Sequence, residues 1–317
     1  LHVRATRQPQ LFGSCWELPN FGDTVDTLRR MAAGPQLDAA TVLLQWATGG
    51  LLFCWITTRR REVGLGYGWL LRASYLVIAA LAALVGYRWA TEPIRDAASI
   101  GVCAAAALAL FLSIVRRRFG VAGQQPEQYE STQTIVDRTG IERNLSSSDP
   151  QGKEFDPRWD LAAPVIGLVG LVATGLSSGG NQLLETARIL VGAAFLGSVT
   201  DAMLLGHWYL VQPGLRREPL LEQVSWLGKI WPLEVGLLLL PTGMWSVLSG
   251  AIDDGYGGML GWFWVACAVT TIALVLVTRA ALRERQYAAV MAATGLLYLA
   301  ILTAFGTDVV ARLVLET

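Results

Sequence analysis

The sequence predicts an all-α, polytopic integral membrane protein with eight transmembrane helices and with both termini on the outer side of the membrane. Three observations lead to this prediction. Hydrophobic residues make up 53% of the 317 positions and charged residues only 16%, whereas soluble domains carry about 25% charged residues. Long apolar runs recur along the chain, and arginine clusters occupy every second gap between them.

Each apolar run has about the 20 residues that a helix needs to cross a bilayer. Five runs contain no charged residue at all: 39–57, 97–115, 161–184, 255–278 and 286–307. The other three contain ionisable side chains: 63–87 has Arg72, 189–209 has Asp201 and His207, and 224–247 has Lys229 and Glu234. The side chain of Arg72 is expected to extend toward the lipid headgroups.

The orientation follows from the basic residues between the runs. The first, third, fifth and seventh gaps hold 3, 7, 2 and 3 lysine and arginine residues, whereas the second gap holds Arg88 and Arg95, the fourth holds Arg188, and the sixth holds none. Cytoplasmic loops of membrane proteins are enriched in these residues. The four basic gaps are therefore predicted to face the cytoplasm. Tryptophans near the predicted span ends agree with an aromatic belt at headgroup depth.

The sequence divides into four regions. Residues 1–37 are predicted to form an outer-face tail with a short amphipathic surface helix, in which Val25, Leu28 and Met31 recur at helical spacing. Transmembrane helices 1–3 follow over 38–115, a cytoplasmic polar loop over 116–160, and transmembrane helices 4–8 over 161–317. The tail and the loop are the predicted docking segments for other membrane-complex subunits, and lipids are expected partners. The formal net charge of +0 gives no electrostatic reason to expect nucleic acid as a partner.

The candidate site is a polar hairpin formed by the fifth and sixth spans. Asp201, His207, Lys229 and Glu234 lie within these apolar runs, where an ionisable residue is a functional candidate by default. Counted from the connecting turn, Asp201 and Lys229 differ in depth by only about 3 Å, so an ion pair between them is expected. The candidate accessory residues are Arg188, Glu222 and Trp226.

Two interpretations of the hairpin stay open. It could form a proton path or a polar ligand pocket, with quinone or lipid as the candidate ligand. Alternatively, Lys229 could pair with Asp201 or with Glu222 as a purely structural contact. His207 could likewise donate a proton to a ligand or simply lie at the membrane interface.

Cofactor chemistry is limited by the histidine content. His207 has only one other histidine in the chain, His2, which is placed in the outer tail. Haem held by two histidines inside the membrane, or a histidine-rich di-iron site, therefore needs ligands that the sequence does not supply. No metal ligand, no cofactor of the chain's own and no catalytic residue are predicted.

Three functions fit these features, in the following order. The first is an integral inner-membrane subunit of a bacterial energy-converting or redox complex that handles protons or contacts quinone and is not an enzyme on its own. The second is a small-solute or ion transporter, which should contain broken helices, and Pro232 and Pro241 in the sixth span are compatible with that. The third is a lipid-modifying membrane enzyme, which the scarcity of clustered acidic and histidine residues disfavours.

Overall fold

A computed structural model describes residues 38–60, 62–89, 92–116, 155–212, 215–240, 243–284 and 286–316, and every regular element in them is a helix. The predicted tail 1–37 and most of the loop 116–160 lie outside the described residues. The helices are α1 (Ala39–Thr58), α2 (Leu65–Trp89), α3 (Pro93–Val115), α4 (Ala162–Ser177), α5 (Gln182–Val211), α6 (Glu218–Leu239), α7 (Met244–Leu248), α8 (Met259–Ala281) and α9 (Tyr287–Glu316), with a 3-10 helix over Pro157–Leu161 directly before α4.

Seven helical segments of the described residues are long and apolar enough to cross a membrane: α1, α2, α3, α5, α8, α9, and α4 together with the 3-10 helix before it (Pro157–Ser177). This all-helical pattern is that of a polytopic membrane protein. The helix α6 has 22 residues, enough for a span, but it carries Glu218, Glu222, Lys229 and Glu234. The predicted count of eight spans and the predicted orientation therefore stay predictions.

Helix starts follow ordinary capping chemistry. The Asp38 carboxylate accepts a hydrogen bond from the Ala40 amide at 3.1 Å, and the Asn181 side chain accepts one from the Leu184 amide at 3.3 Å. Proline occupies the first turn of α3 at Pro93, where its missing N–H costs nothing. These residues fix where α1, α3 and α5 begin.

Consecutive helices pack as neighbours, and α1 and α5 form the centre of the bundle. Of the seven apolar helices these two are the most buried. The helix α5 packs against α1, α4, α6 and α9, while α8 packs against α9. The helices α1, α3, α5 and α8 all finish at the same side of the bundle. We call this side the basic end, because Arg59, Arg116 and Arg279 lie there.

The outer surface of the bundle is apolar. Leu84 on α2, Phe111 on α3 and Leu276 on α8 are each more than half exposed. Contiguous exposed apolar surface of this kind is unfavourable in water and suits a helix that faces lipid.

The α1–α5 contact is made by glycine. A Cβ atom built on Gly49 would overlap the carbonyl oxygen of Ala193, and one built on Gly197 would overlap the backbone of Gly49. Small residues let two membrane helices approach until their backbones touch. The two central helices are therefore in direct backbone contact near their midpoints.

Arg72 lies inside the protein, so the prediction that its side chain extends to the headgroups is wrong. It is 2% exposed, and its Nε and Nη2 donate to the two carboxylate oxygens of Asp160 at 2.7 and 2.6 Å. The guanidinium also lies 4.8 Å from the centre of the Phe155 ring, in cation–π geometry. The 3-10 helix before α4 brings Asp160 to this position, and the resulting two-pronged pair replaces hydration.

Candidate functional site

The structure separates the four predicted site residues into different environments. Asp201 is buried among α1, α2 and α5, and Glu234 is buried in a second place, among α5, α6 and α9. His207 and Lys229 are exposed. The hairpin of α5 and α6 exists as predicted, but its ionisable residues do not form one cluster.

Asp201 is fully buried and has tyrosine neighbours. The Tyr75 hydroxyl donates a short hydrogen bond to its Oδ1, and the Tyr67 hydroxyl donates to its backbone carbonyl oxygen at 3.3 Å. The second carboxylate oxygen, Oδ2, has no hydrogen-bond partner among the described residues. The predicted Asp201–Lys229 ion pair is wrong, because Lys229 lies on an exposed face of α6.

Lys229 and Glu222 have other partners than each other. The Nζ of Lys229 lies 5.1 Å from the centre of the Trp226 ring, in cation–π geometry. Glu222 instead pairs with Arg59 at 2.7 Å and with Arg60 at 3.2 Å. The alternative Glu222–Lys229 pair is therefore also wrong, since the residues after α1 supply two closer cations.

His207 contacts α9. Its Nδ1 lies 3.0 Å from the Tyr298 hydroxyl, and the two rings meet edge to face. Both side chains are exposed. The contact ties α5 to α9 at the surface and does not reach Asp201 or Glu234.

Glu234 lies in a buried cluster of charged residues that we call the five-residue cluster. Its members come from α5, α6 and α9, and each is at most 4% exposed. They are Glu185, Arg188, Glu234, Asp308 and Arg312. Sequence reasoning found Glu234 and treated Arg188 as accessory, but it missed the others.

Asp308 and Arg312 form a close ion pair on one face of α9. The Arg312 Nε lies 3.0 and 2.9 Å from the two carboxylate oxygens of Asp308, and its Nη2 lies 2.9 Å from Oδ1. Gly192 on α5 makes room for the pair, because a Cβ atom there would lie 2.9 Å from Nη2 and 3.1 Å from Oδ1. This glycine places the ion pair directly against α5.

Arg188 binds both a carboxylate and the end of α6. Its Nη1 lies 2.7 Å from Glu185 Oε1, its Nε donates to the Leu237 carbonyl at 3.0 Å, and its Nη2 donates to the Leu240 carbonyl at 3.4 Å. The last carbonyls of a helix lack partners within that helix and carry partial negative charge. A buried cation therefore caps α6 at the point where the helix is interrupted.

Glu234 is the carboxyl group of the five-residue cluster that accepts no hydrogen bond in the described residues. Both of its carboxyl oxygens are buried and have no hydrogen-bond donor in the described residues. Its carboxyl group lies within hydrogen-bonding reach of the Asp308 carboxyl, with Arg312 and Arg188 nearby. Two ionised carboxylates are both acceptors, so this contact becomes a hydrogen bond only when one of them carries a proton.

The described residues contain one further cavity of interest, with a volume of about 160 Å³, among α1, α4 and α5. Its lining is apolar except for Thr48, whose buried hydroxyl has no partner in the described residues. The described residues contain no group of three or more histidine, cysteine, aspartate or glutamate side chains placed to hold a metal ion.

No protein-family model, no curated protein and no solved structure matches this chain.

Proposed function

We propose that this chain is a proton-handling inner-membrane subunit of a bacterial energy-converting or redox complex, and that Glu234 and Asp308 share one exchangeable proton. The observation that carries the proposal is the Glu234 carboxyl group, which is buried without a donor and faces a second carboxyl. Membrane subunits of such complexes need ionisable groups that hold a proton away from water.

The charge balance of the five-residue cluster supports a shared proton. Glu185, Glu234 and Asp308 supply three carboxyl groups, and Arg188 and Arg312 supply two guanidinium groups. Two carboxylates in contact at low dielectric do not both ionise readily. One proton on the Glu234–Asp308 pair makes the cluster neutral.

A purely structural role accounts for only part of the cluster. The pairs Glu185–Arg188 and Asp308–Arg312 are each balanced without Glu234. An ionisable residue inside a bilayer costs roughly 2.5–3.5 kcal/mol on insertion scales. The Glu234 carboxyl offsets this cost only through its attraction to the nearby Arg312 and Arg188, because it accepts no hydrogen bond in the described residues. Glu234 therefore has a cost that a static ion-pair network does not explain.

The proposed ligand is a quinone or a lipid, and the proposed partners are other subunits of the complex. The apolar cavity between α1, α4 and α5 suits the hydrocarbon tail of a quinone or lipid, because apolar lining selects apolar ligands. The segments 1–37 and 116–160 are the proposed docking sites for other subunits.

The test is purification of the tagged full-length chain from its native membrane in mild detergent. We expect other subunits and extractable quinone to co-purify. In that complex, Glu234→Gln should lower turnover-coupled proton uptake by about 10²-fold, with assembly unchanged. Glu222→Gln is the matched control, since Glu222 lies on the same helix but pairs with surface arginines.

Two results would contradict the proposal. One is recovery of the chain as a lone monomer without quinone. The other is a Glu234→Gln complex that takes up protons as fast as the Glu222→Gln complex.

A proton-coupled solute transporter is the second candidate, and the interruption of α6 favours it. The helix ends at Leu239, α7 begins at Met244, and Arg188 binds the Leu237 carbonyl in the last turn of α6 and the Leu240 carbonyl directly after it. Secondary transporters place broken helices and buried charges together in this way. Proton-dependent solute uptake by liposomes that contain the chain alone would favour this candidate over the first.

A further inference from the structure

We infer that Asp201 is a second proton-binding residue, separate from the Glu234–Asp308 pair, and that it exchanges its proton with the basic end of the bundle. The inference deepens the proposed function and rests on it. It assigns the chain two proton sites on opposite sides of the α1–α5 contact.

Asp201 has no counter-charge among the described residues. Its carboxyl group is fully buried and accepts one hydrogen bond, from Tyr75, while Oδ2 has no partner in the part of the chain that the structure describes. No lysine or arginine of the described residues pairs with it, in contrast to Asp308 and Asp160. A buried carboxylate without a cation is much costlier than the neutral acid, so binding a proton relieves that cost.

Uncharged side chains face Asp201 from the neighbouring helices. The α1 helix contributes the Cys54 thiol, and α2 contributes the Tyr67 and Tyr75 hydroxyls. The Arg72–Asp160 ion pair interacts electrostatically with the same Cys54 thiol, and its charges balance each other. None of these groups supplies a net positive charge that would hold Asp201 ionised.

A chain of polar side chains leads from the Asp201 region toward the basic end. The Tyr67 hydroxyl reaches the Thr57 hydroxyl, which accepts a hydrogen bond from Gln223 Nε2 at 2.5 Å. Gln223 lies in the second turn of α6, and its Oε1 is buried without a partner among the described residues. The Thr57 hydroxyl donates to the Phe53 carbonyl, and the Tyr67 hydroxyl donates to the backbone carbonyl of Asp201. Hydroxyl groups both donate and accept, so a turn of the Tyr67 hydroxyl from that carbonyl to Oδ2 would connect the Asp201 carboxyl to this end of the bundle.

Asp201 lies apart from the five-residue cluster. Gly192, which contacts that cluster, precedes Asp201 by nine residues on α5, a rise of about 13 Å. Between them lie Ala193 and Gly197, where the α1 and α5 backbones touch at Gly49. The two sites are therefore separated along α5 by the stretch whose backbone touches α1.

Proton binding by Asp201 conserves atoms and charge. The Asp201 carboxylate takes a proton from hydronium at the basic end, an O–H bond forms at Oδ2, and a water molecule is released. Release is the reverse step. The Tyr75 hydroxyl keeps donating to Oδ1 in both states.

The test is infrared spectroscopy of the full chain in liposomes, transferred from H₂O to D₂O. We expect a carboxylic-acid C=O band that Asp201→Asn removes and Glu234→Gln leaves in place. Tyr75→Phe should raise the frequency of this band, because the C=O group loses a donor, and this variant keeps the test available if Asp201→Asn fails to fold. A band insensitive to both Asp201→Asn and Tyr75→Phe would overturn the assignment to Asp201, whatever the result for Glu234.

The route is tested by the rate at which that band shifts in D₂O. Thr57→Val should slow the shift by about tenfold or more, because it removes the hydroxyl between Gln223 and Tyr67. Thr271→Val is the matched control, since Thr271 is equally buried but lies on α8 and bonds to Cys267 and Thr303. Equal rates in the Thr57→Val and Thr271→Val proteins would overturn the proposed access from the basic end.

Discussion

Asp308 and Arg312 depend on each other, whereas Glu234 is the extra charge beside them. Removing one member of a buried ion pair leaves an uncompensated charge and costs about 3–5 kcal/mol. We expect Arg312→Met to lower the free energy of unfolding by about that amount, because Asp308 then lacks its cation. Glu234→Gln should cost less than about 1 kcal/mol, because no partner is stranded.

Denaturant unfolding of the purified chain in detergent measures this difference. The double variant Asp308→Met/Arg312→Met should recover most of the loss, since an apolar pair replaces the ion pair. Equal destabilisation by Glu234→Gln and Arg312→Met would show that Glu234 is an essential structural partner of Arg312.

Asp254 is a residue whose contribution depends on pH. Hydrogen bonds from the backbone amides, above all that of Gly258, hold the pKa of the Asp254 carboxyl below its usual value. The amides of Gly258, Tyr256 and Leu260 donate to it at 2.7, 3.0 and 2.9 Å. Gly258 adopts φ +85°, a conformation that L side chains rarely adopt, and this lets its amide face the carboxylate.

The sign of the pH effect follows from the lowered pKa. The stabilisation is present above the unfolded-state pKa and is lost as the pH falls through the lower, folded-state pKa. Hydrogen exchange of the 256–261 amides should therefore show protection at neutral pH that decreases in acid. In the Asp254→Asn protein the protection should be weaker at neutral pH. It should also not decrease in acid through loss of a charge at position 254, because asparagine does not titrate. Identical pH profiles in the two proteins would contradict this account.

At the scale of the element, the contact between α1 and α5 is the most sensitive part of the bundle. Overpacking a tight contact costs about 1–3 kcal/mol, so Gly49→Ala and Gly197→Ala should each lower thermal stability in detergent. Gly236→Ala and Gly295→Ala are the controls, since a Cβ atom there meets nothing within 4 Å. The controls should be neutral or slightly stabilising, because alanine favours helix. Equal melting temperatures for all four variants would contradict the proposed backbone contact.

The neighbours of α5 along the chain were predictable from the sequence, but the rotation of the helix was not. The short turn correctly placed α5 and α6 side by side. Which face of α5 meets α6 depends on the other helices around it. Asp201 points toward α1 and α2, whose positions no local pattern specifies.

The end of α9 shows a second limit of sequence reasoning. The eighth apolar run stops at 307 because Asp308 follows, but the helix continues to Glu316. Asp308 and Arg312 are four residues apart and neutralise each other, so they lower the cost of continuing in an apolar environment. The four-residue spacing of Asp308 and Arg312, with valine, alanine and leucine around it, was the pattern from which a longer helix could have been predicted.

At the scale of the whole molecule, the number of crossings depends on α6. If α6 crosses the membrane, the chain has eight spans and Glu218 and Ser249 lie on opposite sides. Single cysteines at these two exposed positions, in a chain whose native cysteines are replaced by serine, can be labelled with an impermeant maleimide. We expect Ser249→Cys to react from outside intact cells and Glu218→Cys only after permeabilisation. If both cysteines react from the same side, α6 does not cross the membrane and the chain has seven crossings.

The most direct test of the central claim is the protonation state of the Glu234–Asp308 pair at neutral pH. Infrared spectra of the full chain in liposomes should show a carboxylic-acid C=O band that disappears in Glu234→Gln and also in Asp308→Asn. Each variant leaves one carboxylate beside Arg312, and a single carboxylate paired with arginine needs no proton. The Asp201 band should remain in both variants. A carboxylic-acid region that is the same in the wild-type, Glu234→Gln and Asp308→Asn proteins would contradict a shared proton at this site.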